Sequence, residues 1–331
     1  MGLSVYVTRE LSGPALPLLR EHCRTVDVNP HDRALTRAEL LAAVAGRDGI
    51  LCTGMDAMGS EVLDAAGPSL RAIAVCAVGY DNISVPELTR RGIGASNTPD
   101  VLTETTADLA WALLMAAARR VAEGDRLVRA GLWKGWGPRQ MLGLDLYGRT
   151  LGVVGAGRIG CAVARRATGF NMQVLYHNRS PRQELERSIG ARRVALDDLL
   201  RRADFVSINL PLTAETQHFI GARELALMKP TAVLVNTGRG PLVDEAALVE
   251  ALREGRIAAA GLDVFEGEPN VRPELRALEN VVLTPHIGSA SHETRPKMAE
   301  IAARCLLAMM AGEAPEECLN PQVFNKDVPG S

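Results

Sequence analysis

Apolar and polar positions along this chain follow two periods in turn. Short apolar runs bounded by turn residues alternate with segments in which apolar residues recur at helical spacing. In the first hundred residues the runs are Val5–Thr8, Thr25–Val28, Gly49–Thr53, Ile73–Ala77 and Ile93–Ser96. From Leu151 the alternation begins again, with runs at Leu151–Val154, Gln173–Tyr176, Phe205–Asn209, Ala232–Asn236, Ala259–Val264 and Val281–Thr284. Strands interleaved with helices predict parallel sheets, so the fold class is α/β, with two Rossmann-like doubly wound parallel-sheet domains. Between the two series, Thr103–Arg129 reads as one helix. It is apolar on so many faces that a lone subunit would struggle to hide it, which predicts a domain-linking helix with a dimer contact. The last helix, Ser291–Gly312, has no strand of its own to cover and should return to the first domain. The expected divisions are residues 1–98 and 288–331 for a discontinuous first domain and 99–287 for the second.

At 331 residues the length suits about two domains. Lys+Arg 37 against Asp+Glu 39 leaves a formal net charge of −2 with no basic stripe, so neither nucleic acid nor a membrane surface is an expected partner. None of Cys23, Cys52, Cys76, Cys161, Cys305 and Cys318 falls in a Cys-x-x-Cys spacing, and several sit inside apolar patterns, which fits a reducing cytoplasm. The first residues enter a strand without a basic or apolar leader, and Tyr6 stands where a myristoylation signal wants Ser or Thr. The most apolar stretch, Leu109–Ala118, is too short to span a bilayer. No His, Cys and carboxylate cluster has metal-ligand spacing, and no metal is expected.

Chemistry enters at Leu151-Gly-Val-Val-Gly-Ala-Gly-Arg-Ile-Gly160. A strand feeding a glycine turn that opens a helix lets backbone approach a pyrophosphate at the positive end of that helix. By itself GxGxxG is weak; its place between an apolar strand and the helical pattern Cys161–Thr168 makes dinucleotide binding the reading. About twenty residues further on, where an NAD site usually has Asp or Glu, the chain has Asn178-Arg179-Ser180. A guanidinium and a hydroxyl suit a 2′-phosphate, so NADP(H) is expected in preference, with NAD(H) still usable.

Arg239, Glu268 and His286 each follow one of three successive apolar runs, Ala232–Asn236, Ala259–Val264 and Val281–Thr284. Singly, Arg239 could cap a helix beside Gly240, Glu268 could be a turn residue before Pro269, and His286 could be a loop histidine. Together, at strand ends behind a nucleotide turn, they suit a 2-oxo acid, which offers a carboxylate to a fixed cation and a carbonyl oxygen to a proton donor. Glu268 hydrogen-bonded to His286 would favour the protonated ring and orient it. His22, His31, His177, His218 and His292 lack such placement and read as ordinary polar residues.

At these residues the chain resembles the D-isomer-specific 2-hydroxyacid dehydrogenases over nearly its whole length. The likeness runs from Val75-Cys-Ala-Val-Gly-Tyr-Asp-Asn82 through Val235-Asn-Thr-Gly-Arg-Gly240 and Gly261-Leu-Asp-Val-Phe-Glu-Gly-Glu-Pro269 to Thr284-Pro-His-Ile-Gly-Ser289. In that family these motifs carry the catalytic arginine, glutamate and histidine, and a residue matching Asp263 lies near the nicotinamide. Within it, Gly131-Leu-Trp-Lys-Gly-Trp-Gly-Pro138, Met141-Leu-Gly-Leu-Asp-Leu146 and His177-Asn-Arg-Ser180 look most like the glyoxylate/hydroxypyruvate reductases. The resemblance implies a homodimer in which Trp136 reaches the partner's site, and amides of Val78 and Gly79 near the substrate carboxylate in a substrate domain formed by the first and last segments. Expected cofactor contacts are Gly155, Gly157, Arg158, Ile159, Gly160, Asn178, Arg179, Ser180, Leu210, Pro211, Thr216, Thr237, Asp263 and Gly288.

The activity so implied is NADPH-preferring reduction of glyoxylate or hydroxypyruvate. Phosphite dehydrogenases place a lysine where Val78 stands, formate dehydrogenases a glutamine where Glu268 stands, and many phosphoglycerate dehydrogenases carry a C-terminal extension. Ala77 stands where many relatives have Ser or Thr. A reductase of a larger 2-oxo acid such as 2-ketogluconate remains open, because the trio does not read the side chain. So does a dinucleotide-sensing scaffold like the C-terminal-binding-protein corepressors, which retain the trio.

Overall fold

The computed structural model describes residues 2–31 and 33–325. They form two compact units, one of residues through Leu102 together with those from Ser289, the other Thr103–Gly288. The changeovers thus follow Leu102 and Gly288, where the sequence pattern places them after residues 98 and 287.

The first unit contains β1 (Ser4–Val7), β2 (Thr25–Val28), β3 (Gly49–Cys52), β4 (Ala72–Val75) and β5 (Gly94–Ser96), in the parallel order β2-β1-β3-β4-β5. Every residue of β3, β4 and β5 is buried, as expected of parallel strands covered on both faces. Helices Arg37–Val44, Ser60–Ala66 and Val85–Arg90 cover one face over Ile50, Ile73 and Val75. On the other face, Ala15–His22 and Thr294–Met310 enclose Val5, Val7, Leu51 and Ala74. Leu306 and Met309 of the last helix are part of this core, so the C-terminal segment returns to the first sheet.

The second unit contains β6 (Thr150–Val154), β7 (Gln173–His177), β8 (Arg192–Arg193), β9 (Phe205–Ile208), β10 (Val233–Asn236), β11 (Ala259–Leu262) and β12 (Val281–Leu283). Their order is β12-β11-β10-β9-β6-β7-β8, all parallel. Alternate side chains feed opposite cores: Leu234 of β10 packs with Leu225 and Leu248 from the helices on one face, Val233 and Val235 with Leu113 and Val163 from those on the other. The chain builds from β6 outward to β8, then crosses to β9 on the other side of β6. Strand order therefore reverses between β6 and β9, which opens a crevice at their carboxyl ends.

Two expectations need correction. The segment Thr103–Arg129 is two helices, Thr103–Ala118 and Val121–Arg129, because Arg120 takes φ 54° and turns the chain. Much of the first is hidden within the subunit: Leu113, Leu114 and Ala117 join the core over β10 and β11, and Trp111 donates Nε1–H to Val163 O at 2.9 Å, while Met115 stays exposed. A run of exposed apolar residues follows further on, at Val121, Val128, Leu132, Trp133, Trp136, Leu142 and Tyr147. Strand β8 had no apolar signal to reveal it, since both its residues are exposed arginines.

Candidate active site

The glycine turn closes β6 at the switch point. Gly155 has φ +90°, and a Cβ there would lie 2.7 Å from Asn209 O; a Cβ on Gly160 would lie 2.0 Å from Gly155 O. Both glycines are thus required by the turn itself. Gly157, which precedes the helix Arg158–Arg166, has nothing within 4 Å of its missing side chain. That open space beside a helix N-terminus fits a pyrophosphate. At the ends of β9 and β10, Asn209 Oδ1 and Thr237 Oγ1 are buried with no hydrogen-bond partner among the described residues, which leaves polar groups for a ligand at the same crevice. An open acceptor, an open hydroxyl and the cleared backbone fit a dinucleotide.

Around the turn, Ile159 is half-buried and Arg158 exposed. Asn178 is spent on the protein: its Oδ1 accepts the Ala156 amide at 3.2 Å and its Nδ2 donates to Ser180 O at 2.9 Å. Arg179 and Ser180 are exposed on the loop after β7. Arg193 of β8 braces that loop, donating to Asn178 O at 3.0 Å and Arg179 O at 2.7 Å. After β9, Leu210 and Pro211 lead into a turn held by Thr216 Oγ1, which donates to Pro211 O at 2.7 Å.

Arg239, Glu268 and His286 come together beyond β10, β11 and β12. His286 Nδ1 lies 2.8 Å from Glu268 Oε2, while Glu268 Oε1 accepts the Phe265 amide at 2.9 Å. Burial of Glu268 opposes ionisation, yet the hydrogen bond and charge of His286, the Phe265 amide and the Arg239 charge outweigh it, and its carboxyl is held below the usual range. An ionised carboxylate only accepts, so Nδ1 carries hydrogen and Nε2 is the ring nitrogen left for proton exchange. The His286 side chain is 40% exposed and Glu268 14%, an accessible ring on a sheltered support. Arg239 precedes Gly240, whose missing Cβ would fall 1.9 Å from the Phe265 carbonyl carbon, so the arginine turn lies on the loop that ends in Glu268.

Asp263 is 1% exposed, and its carboxylate accepts the Thr284 hydroxyl and the amides of Ile287 and Gly288. It organises the loop that carries His286. Val78 and Gly79 belong to the other unit, in the loop after β4, where Val78 O accepts Asn97 Nδ2 at 2.7 Å. Trp136 is 84% exposed. His218, ordinary by sequence, pairs with Glu266 at 2.6 Å; their 48-residue separation left no local signal. Among the described residues, no group of His, Cys, Asp and Glu could hold a metal, and no helix is long and apolar enough to cross a membrane.

A family model described as "D-isomer specific 2-hydroxyacid dehydrogenase, NAD binding domain" matches residues 111–288. A glyoxylate reductase of Korarchaeum cryptofilum is 52% identical over 329 residues, covering 98% of each chain. One of Thermococcus kodakarensis is 51% identical over 330 residues, again covering 98% of each. Among solved structures, an NADPH-dependent glyoxylate/hydroxypyruvate reductase from Sinorhizobium meliloti, in complex with NADP and malonate, is 36% identical with a TM-score of 0.84, covering 99% of this chain and all of that one.

Proposed function

The chain belongs to the D-isomer-specific 2-hydroxyacid dehydrogenases, and on that premise we propose that it reduces glyoxylate or hydroxypyruvate to glycolate or D-glycerate, with NADPH preferred and His286 as proton donor. That it is an NAD(P)-dependent enzyme acting on a 2-oxo acid follows from the family and from glyoxylate reductases alike over almost the whole chain. A reduced nicotinamide, held at the Gly155–Gly160 turn, would supply a hydride for the substrate's carbonyl carbon. Arg239 anchors the substrate carboxylate with its planar guanidinium. His286 gives its Nε2 proton to the oxygen as charge develops there, while Glu268 fixes the ring and presents a negative charge to it when doubly protonated.

The His286–Glu268 contact of 2.8 Å, with Arg239 on the adjoining loop, carries the reading. NADPH preference is supported by Arg179 in place of an acid and by the NADP-bound relative. We further infer a homodimer, formed through the exposed apolar residues between Val121 and Tyr147 and including Trp136. Six free cysteines suit a reducing cytoplasm. The test is oxidation of NADPH and NADH against glyoxylate, hydroxypyruvate, pyruvate and 2-ketogluconate. Glyoxylate and hydroxypyruvate with NADPH should lead, and His286→Ala should lower kcat by roughly 10²–10⁴. Highest efficiency with 2-ketogluconate would assign a larger oxo acid, and near wild-type turnover by His286→Ala would remove the proton donor.

A further inference from the structure

The loop that ends in Glu268 is held by charged groups outside the trio. Glu245, in the first turn of helix Glu245–Arg253, is 3% exposed, and its Oε1 accepts the Glu266 amide at 2.6 Å. Arg272 Nε lies 3.5 Å from Glu245 Oε2, and Arg272 Nη2 4.0 Å from Glu266 Oε2. His218 Nε2 meets Glu266 Oε1 at 2.6 Å, and the His218 amide donates to Pro241 O at 2.7 Å, in the turn after Arg239. The Phe265–Glu266 peptide thus has two restraints. A Cβ on Gly240 would fall 1.9 Å from its carbonyl carbon and 2.4 Å from its nitrogen, while its N–H is taken by Glu245.

A buried carboxylate is costly, and its short hydrogen bond is spent on the peptide that abuts Gly240, next to Arg239, and leads into Glu268. We propose that Glu245 is a positioning residue for the reaction: by holding the Glu266 amide it fixes the Phe265–Glu268 loop against Gly240 and so sets the spacing of Arg239 and Glu268. The inference rests on the trio being the catalytic apparatus. Burial pushes the Glu245 carboxyl up, the Glu266 amide and Arg272 pull it down, and the charges of Glu266 and Glu268 push it up again. The balance is upward, and glutamine keeps an oxygen that can accept the Glu266 amide.

The test compares Glu245→Ala, Glu245→Gln and Glu245→Asp in the full chain, with glyoxylate and NADPH, alongside NADPH binding and melting temperature. Misplacement of a catalytic group by about 1 Å costs on the order of 10²-fold, so Glu245→Ala should lose roughly ten- to a hundredfold in kcat with NADPH affinity held within about twofold. Glu245→Gln keeps the acceptor and should recover to within about threefold of wild type, a rescue that a general loss of stability would not give. Glu245→Asp keeps the charge but withdraws the oxygen; it should lose kcat as the alanine variant does, and it carries the test if that variant fails to fold. Wild-type kcat in the Ala or Asp variant, or a Gln variant no better than Ala, overturns the proposal. His286→Ala is the control: if it stays active the trio reading fails, and if it collapses while the Glu245 variants stay active only this inference fails.

Discussion

The backbone amide of Ile287 donates to Asp263 Oδ1 at 2.8 Å, next to a histidine held at φ +52°. The same oxygen takes the Thr284 hydroxyl at 2.6 Å, and Oδ2 takes the Gly288 amide at 2.8 Å. Left-handed backbone is unfavourable for a residue with a Cβ, so the anchors on both sides of His286 hold it there. Replacing Asp263 by Ala strands these donors, at about 1–3 kcal/mol for each that stays buried and unpaired. The expected result is a melting temperature lower by several degrees and a kcat that falls more than KM rises. Calorimetry with steady-state kinetics checks it, and unchanged kcat would show that the loop holds His286 unaided.

Glu268 links stability to pH in a defined direction. Its carboxyl is held below the ordinary range: burial works against this, and His286, the Phe265 amide and Arg239 overcome it. A depressed folded pKa contributes stability that is fully present above the unfolded value of about 4.3 and is lost as pH falls through the lower folded value. Glu268→Gln should therefore melt below wild type at neutral pH, with the gap shrinking below about pH 4. A gap that stays constant across that range in melts of both proteins would show that ionisation of Glu268 contributes nothing.

The strands and the trio could be read from sequence because buried parallel strands leave unbroken apolar runs, and Arg239, Glu268 and His286 follow three of them directly. The restraints on those residues left no such mark. Asp263 falls inside an apolar run, and its three donors lie more than twenty residues on. Glu245 reads as an acidic first-turn residue of an ordinary helix, and only the approach of Gly240 to Phe265 shows what its carboxylate holds. The break at Arg120 escaped because neither glycine nor proline marks it; its φ of 54° is a departure that side-chain periodicity does not register.

The glycines of the nucleotide turn should separate stability from binding. A Cβ at Gly160 meets Gly155 O at 2.0 Å, backbone that cannot yield without opening the turn, whereas one at Gly157 meets nothing within 4 Å. Gly160→Ala should cost about 1–3 kcal/mol of stability even without cofactor. Gly157→Ala should leave the cofactor-free melting temperature nearly unchanged and weaken NADPH binding, since the added methyl occupies the space offered to the pyrophosphate. Melts without cofactor and NADPH titrations of both variants check the pair, and a Gly157→Ala protein that binds NADPH normally would place the pyrophosphate elsewhere.

Cofactor choice should turn on Arg179, and the surrounding geometry says why one residue can carry it. Its carbonyl is pinned by Arg193 at 2.7 Å, so the loop's backbone is braced where the side chain departs. The Glu215 carboxyl is lowered first by the Thr213 hydroxyl, then by a backbone hydrogen bond, with Arg179 adding to this more weakly. A charge-assisted hydrogen bond to a 2′-phosphate is worth about 1.5–3 kcal/mol, so Arg179→Asp should lower the ratio of NADPH to NADH efficiencies by roughly ten- to a hundredfold or more, the aspartate adding repulsion. Arg193→Ala removes the brace and leaves Arg179 in place, so the ratio should fall less while glyoxylate KM stays constant. The two ratios, measured at one fixed glyoxylate concentration, decide the point: equal ratios in wild type and Arg179→Asp would take the guanidinium out of cofactor selection.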